Sequence, residues 1–152
     1  MHFNDVFAPT FSQLLQSLIA EAVPFLIIGG HAVGVHGYVR ATKDLDIWIE
    51  PDERHAEALG RSLRTLGAHV PVFELMRNLR ESAGLRLGGE DHRIDLLFHV
   101  AGVDFAPSYA RRVEVELEGV ALPFIGLADL RASKRAAGRL QDLADLENLP
   151  LE

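Results

Sequence analysis

Two aspartates placed two residues apart in an otherwise apolar run, Asp44-Leu45-Asp46-Ile47-Trp48-Ile49, set the chemistry open to this sequence. Burying a carboxylate in such a run is costly unless a cation meets it. In a strand, residues two apart leave the same face with Cα atoms about 6.6–7 Å apart. Asp44 and Asp46 can therefore grip one hard cation, or a pair, from one side. A third acid, Asp95, interrupts a second apolar run, His92-Arg93-Ile94-Asp95-Leu96-Leu97. If the two runs are neighbouring strands, the three acids converge. Magnesium (or manganese) suits such oxygen ligands, keeps several waters and takes its remaining ligands from substrate phosphates. Two ions held this way can activate an attacking oxygen and stabilise departing pyrophosphate in an in-line displacement.

A second feature stands just upstream. The apolar run Phe25-Leu26-Ile27-Ile28 stops at Gly29-Gly30, and a segment of small residues follows. A glycine pair between a strand and a helix brings backbone N–H groups close to phosphate. With the acids, it reads as a site for a divalent metal and a nucleoside triphosphate. Arg40, Thr42 and Lys43 lie between the two features. Arg40 can fork onto triphosphate oxygens, or it can pair with Asp44 or Glu50.

Several elements must position these residues. Phe11, Leu14, Leu15, Leu18 and Ile19 recur at helical spacing, which predicts a helix from about Thr10 to Ala22, ended by Pro24. Residues 25–28 read as a buried strand, 30–36 as a short helix and 45–49 as a second strand. Asp52 caps a helix that runs to Leu66 and stops at Gly67. Residues 85–87 and 93–100 read as strands. Residues 113–117 and 120–125 flank Glu118-Gly119 as a hairpin. Helices from 127 to 137 and from 140 to 149, separated by Gly138, close the chain. The expected fold class is α+β, a mixed β-sheet flanked by helices with a helical C-terminus.

These motifs resemble those of the nucleotidyltransferase superfamily of the polymerase-beta type. That superfamily is marked by a glycine pair at a helix start, two acids alternating with apolar residues, and a third acid on a neighbouring strand. The stretch GGHAVGVHGYVRATKDLDIWI is most similar to small bacterial nucleotidyltransferases of the abortive-infection and toxin–antitoxin type, and to some antibiotic nucleotidyltransferases. The tail from Asp129 to Leu146 is similar to the L-x-x-x-K-x-x-A-x-R-x-K-D-x-x-D-L ending of the same groups. The resemblance covers residues 25–149. It implies a nucleotidyltransferase fold. It also implies metal-dependent transfer of a nucleoside monophosphate from a nucleoside triphosphate to an acceptor hydroxyl. By position, Gly29 and Gly30 match the nucleotide-binding turn, Asp44 and Asp46 the metal pair, and Asp95 the third acid, which acts as or assists the base. Lys134 matches a tail lysine that faces the triphosphate. The expected site is thus Asp44, Asp46 and Asp95 for metal and catalysis, with Gly29, Gly30, Arg40, Thr42 and Lys134 for the nucleotide. Two positions depart from the pattern: His31 follows the glycines where many members have Ser or Trp, and Gln141 precedes Asp142 where the tail has Lys. The same fold also serves as a non-catalytic regulator or antitoxin in two-component systems, which is the alternative reading.

Composition bounds the rest. The 152 residues suit one domain, residues 1–152. No apolar run reaches the ~18 residues of a membrane span, and the first residues carry no basic leader. The absence of cysteine excludes disulfides and thiolate metal sites and fits a cytoplasmic protein. His31 and His36 are five apart, the wrong spacing for one helix face, so zinc is disfavoured. A net charge of −7 argues against general nucleic-acid binding. Arg131, Arg135 and Arg139 nevertheless stand at i, i+4 spacing and predict a basic helical stripe. An RNA end would suit that stripe, a cationic small molecule the acidic remainder, and a hydroxyl on a partner chain a protein without a substrate lobe. The stripe and the small size favour RNA or protein as acceptor.

Overall fold

The computed structural model describes residues 2–89 and 91–151. Its centre is a six-stranded mixed sheet built on β1 (Phe25–Ile28), β2 (Asp44–Ile49), β3 (Gly84–Gly88), β4 (Arg93–Leu97), β5 (Val113–Leu117) and β6 (Val120–Phe124), in the spatial order β3-β4-β2-β1-β6-β5. β1, a continuous apolar run, is buried along its whole length, as a strand covered on both faces must be. It pairs antiparallel with β2 and parallel with β6. β2 pairs parallel with β4, and β4 antiparallel with β3. The α+β reading of the sequence is therefore what the chain forms.

The helices follow the apolar spacing. α1 (Phe3–Val6) is a single turn, and α2 (Pro9–Ala20) starts with proline at its first position and buries Phe11, Leu14, Leu15 and Leu18. α3 (Gly29–Val35) begins directly at the end of β1. The Asp52 side chain accepts from the Arg54 N–H at 3.0 Å and opens a 3₁₀ turn, Glu53–His55, that leads into α4 (Ala56–Arg64). α5 (Val72–Glu81) follows, then α6 (Phe105–Ala110), α7 (Leu127–Ala137) and α8 (Leu140–Asn148). The buried apolar side chains form one contiguous cluster, with Trp48, Phe25, Phe98 and Phe124 among its largest members.

Two turns are built as the sequence predicts. Glu118 and Gly119 both adopt positive φ, 53° and 77°, the two-residue turn that matches strand twist. Glu118 is not glycine, and its carboxylate also ties down the N-terminus. It accepts from the Phe3 N–H at 3.2 Å and meets His2 Nδ1 at 3.0 Å. Gly138 (φ 64°) caps α7 in the left-handed region.

Three expectations need correction. The strand expected to reach Val100 ends at Leu97. α1, α5 and α6 are additional to the expected elements, although Val72, Leu75, Met76 and Leu79 recur at helical spacing behind Pro71. The basic stripe does not form: Gly138 breaks the helix, so Arg139 sits at the cap of α8 and not on the face of α7. Arg131 turns inward and donates to the carbonyls of Leu146 at 3.2 Å and Pro150 at 3.4 Å.

Candidate active site

The two acid-bearing strands are direct neighbours, and their register sets Asp46 beside Asp95 and Asp44 beside Arg93. On the other side of β2, Asp46 pairs in register with Ile28, the last residue before the glycine turn. The glycine pair and both acid strands therefore meet at Asp46. A Cβ on Gly29, which holds φ 69°, would collide with the Asp46 carboxylate. A Cβ on Gly30 would lie 2.8 Å from Thr42 Cβ and 3.3 Å from Arg40 Nη1. Both glycines are thus required by close packing against the other predicted site residues. Thr42 fixes the start of β2: its hydroxyl donates to the Asp44 carbonyl at 3.1 Å and accepts from the Asp44 N–H at 3.4 Å.

A cleft of about 830 Å³ opens over this junction, and every predicted site residue lines it: Gly29, Gly30, Arg40, Thr42, Asp44, Asp46, Asp95 and Lys134. Its acids are short of positive charge. Asp46 is raised from 3.8 to about 6, first by burial, then by the charge of Asp95 and a hydrogen bond with it, then by Asp44; Lys134 acts weakly in the opposite direction. Asp95 and Asp44 are better served. Arg86 Nε meets Asp95 at 3.0 Å, and Arg93 bridges Asp44 at 2.8 Å and Asp95 at 3.4 Å. Among the described residues, no three acid or imidazole side chains are close enough together to hold an ion.

Arg40 and Lys134 have partners that their sequence neighbourhoods do not announce. Arg40 makes a two-pronged bond to Asp145, at 2.9 and 3.1 Å, and neither Asp44 nor Glu50 is its partner. Lys134 bridges Asp142 at 3.2 Å and Asp145 at 3.0 Å. Arg139 joins Asp142 at 2.7 Å, and Gln141 donates to Asp145 at 2.9 Å. Burial pushes both carboxyls upward, but the bonds from Arg139 and Lys134 outweigh it at Asp142, and those from Arg40 and Lys134 outweigh it at Asp145, so both lie below the usual carboxylate value. Asp142 and Asp145 thereby lock α8 to α7 and to the loop before β2. The signal that could have found them is their spacing of three, which puts both on one face of a helix.

The other candidates resolve as packing. His36 Nε2 donates to the Ile125 carbonyl at 2.7 Å. His31 packs between Phe7 and Phe11, and burial followed by the charge of Arg40 keeps it below its usual value. The two histidines are engaged separately. Arg111 makes a two-pronged bond to the buried Asp129 at 2.8 and 3.0 Å.

No family model matches the sequence, and no curated protein matches it. Among solved structures, the chain resembles the antibiotic-resistance factor ANT(2'')-Ia, with a TM-score of 0.60 at 16% identity over 97% of this chain and 83% of that one. It also resembles the lincosamide antibiotic adenylyltransferase LnuA, solved with lincomycin bound, with a TM-score of 0.55 at 16% identity over 93% of this chain and 95% of that one. What the chain shares with both is the nucleotidyltransferase fold.

Proposed function

We propose that this chain is a nucleotidyltransferase that moves a nucleoside monophosphate from a nucleoside triphosphate to an acceptor hydroxyl. One observation carries the reading: the glycine turn, Asp46 and Asp95 meet at a single register position, with Asp44 two residues along the same strand, and burial beside Asp95 raises Asp46. The adenylyltransferase named for LnuA supports it through the shared fold. Magnesium or manganese keeps several waters and takes ligands from the triphosphate, so Asp44, Asp46 and Asp95 would hold it without forming a closed cage of their own. When bound, such an ion supplies charge for the phosphates and the attacking oxygen.

The chain's own residues do the remaining work. The backbone at Gly29 and Gly30 approaches the phosphates, and Arg40, Thr42 and Lys134 border them. The acceptor oxygen forms a bond to the α-phosphorus as the bond to pyrophosphate breaks, and Asp95 accepts the hydroxyl proton. No helix among the described residues is long and apolar enough to cross a membrane. Without a basic stripe the case for an RNA acceptor weakens, while a hydroxyl on a small molecule or a partner chain fits the open cleft.

One observation favours a non-catalytic regulator or antitoxin: Arg93 already stands between Asp44 and Asp95 as an internal cation. Turnover separates the two readings. The purified protein, given α-labelled triphosphates, magnesium and a cell extract, should release pyrophosphate and transfer label, and Asp46→Asn and Asp95→Asn should each abolish transfer. Tight triphosphate binding without label transfer would establish the regulator.

A further inference from the structure

The cleft has two cationic banks, and the sheet order separates them. On one side of the acids stand the glycine turn at the end of β1, Arg40, Lys134 and Arg139. On the other stand Arg86 of β3 and Arg93 of β4, the two strands beyond β2. The banks differ in how their charges are held. Arg40 and Lys134 have dedicated buried acids, Asp145 and Asp142. Among the described residues, Arg86 and Arg93 pair with Asp95 and Asp44, the carboxylates that the proposed reading assigns to a cation. The Arg93 pairing with Asp95 is loose: its buried Nε lies 3.4 Å from the carboxylate and makes no hydrogen bond among the described residues. The Arg86 side chain is 66% exposed.

We infer that Arg86 and Arg93 select an acceptor carrying an anionic group, a phosphate or a carboxylate, close to its reacting hydroxyl. This rests on the proposed reading of the site. When the acids receive a cation, the two guanidiniums lose their claim on them and line the bank away from the glycine turn. The triphosphate occupies the glycine bank, so the arginine bank is left to the acceptor. Paired guanidiniums bind planar or tetrahedral oxyanions through forked hydrogen bonds. They repel a cationic acceptor. The arginines act before the chemistry by placing the acceptor's hydroxyl beside Asp95, since Arg86 and Asp95 are cross-strand partners.

Calorimetry in two stages tests this. The first titration adds a non-hydrolysable triphosphate with magnesium, and failure of the parent protein to bind it overturns the reading of the site and this inference together. The second adds glycerol 3-phosphate, glycerate, glycerol or kanamycin (a hydroxylated polycation) to that loaded complex. The expected result is binding of at least one of the two anions, with the stronger showing whether phosphate or carboxylate is preferred, and none of glycerol or kanamycin. Arg86→Gln and Arg93→Gln should each weaken anion binding at least tenfold and leave triphosphate affinity within about twofold. Arg93→Gln should also bind manganese more tightly than the parent, because the competing internal cation is gone. Arginines that serve only to neutralise the acids would show that gain without the loss of anion binding. The inference fails if neither anion binds, if both variants bind the anion as the parent does, if triphosphate affinity falls as far as anion affinity, or if kanamycin binds more tightly than the anions.

Discussion

The acids of β2 and β4 are partly buried and the acids of α8 fully buried, and they meet the cost of burial in opposite ways. Asp142 and Asp145 face three fixed cations, Arg40, Lys134 and Arg139, and both are held below the usual carboxylate value. Asp44, Asp46 and Asp95 face two, Arg86 and Arg93, and Asp46 is left at about 6. The first cluster is complete as folded and behaves as a joint. The second keeps a deficit of positive charge where the glycine turn meets the strands, as the proposed cation site requires. Lys134 lines the cleft, yet its ammonium belongs first to the joint.

The sharpest break in this contrast comes from Asp145→Ala. It leaves Arg40 and Lys134 without their shared buried acid, and loss of one partner from a buried pair costs about 3–5 kcal/mol. Urea unfolding should show a loss of that order. A loss below about 1 kcal/mol would mean the joint is not a joint.

Asp46→Asn should do the reverse. A carboxyl raised from 3.8 to about 6 binds its proton more tightly folded than unfolded. Its penalty is therefore absent below about pH 4, grows as pH rises through about 6 and stays at neutral pH, where it is on the order of 3 kcal/mol. Asp142 and Asp145 work with the opposite sign: their lowered values add stability above about pH 4 that is lost on acidification. Asp46→Asn should thus gain roughly 1–3 kcal/mol at about pH 7 and flatten the decline in stability between about pH 4 and 7, while losing magnesium affinity. Stability curves at about pH 4, 5.5 and 7 check the sign, and a variant less stable than the parent at neutral pH refutes it.

The smallest effect is expected at Arg139→Ala. This side chain is 78% exposed, and Asp142 keeps Lys134, so the change should be within about 1 kcal/mol. A larger loss would make Arg139 part of the joint and not its rim.

What the sequence made legible was local. Acids inside apolar runs, a glycine pair at a strand end, and Glu118-Gly119 between two alternating runs each carry their reason within a few residues. The ion pairs of the joint do not. Arg40 and Asp145 lie 105 residues apart, and nothing in either neighbourhood names the other. Nearby acids at 44 and 50 offer Arg40 a local partner, and the tertiary packing of α8 overrides it. The same packing turns Arg131 toward carbonyls of the chain's end, and Gly138 removes Arg139 from its helical face, so a pattern correct in spacing gives no stripe. α5 is harder to read although its apolar residues recur at helical spacing, because the charged residues between them make the segment look like a solvated connection.

The parallel ladder between β2 and β4 has one more consequence. Five consecutive rungs, from Asp44 opposite Arg93 to Trp48 opposite Leu97, hold Asp46 and Asp95 abreast. Between β2 and the β3–β4 pair, α4 and α5 form an excursion whose two ends are fixed in one sheet. Loop length adds little free energy of closure, so the excursion can lengthen or shorten without moving the aspartates. A few glycines and serines inserted between α4 and α5 should leave magnesium affinity where it was. A chain built this way can vary that connection over evolutionary time and keep its chemistry in place.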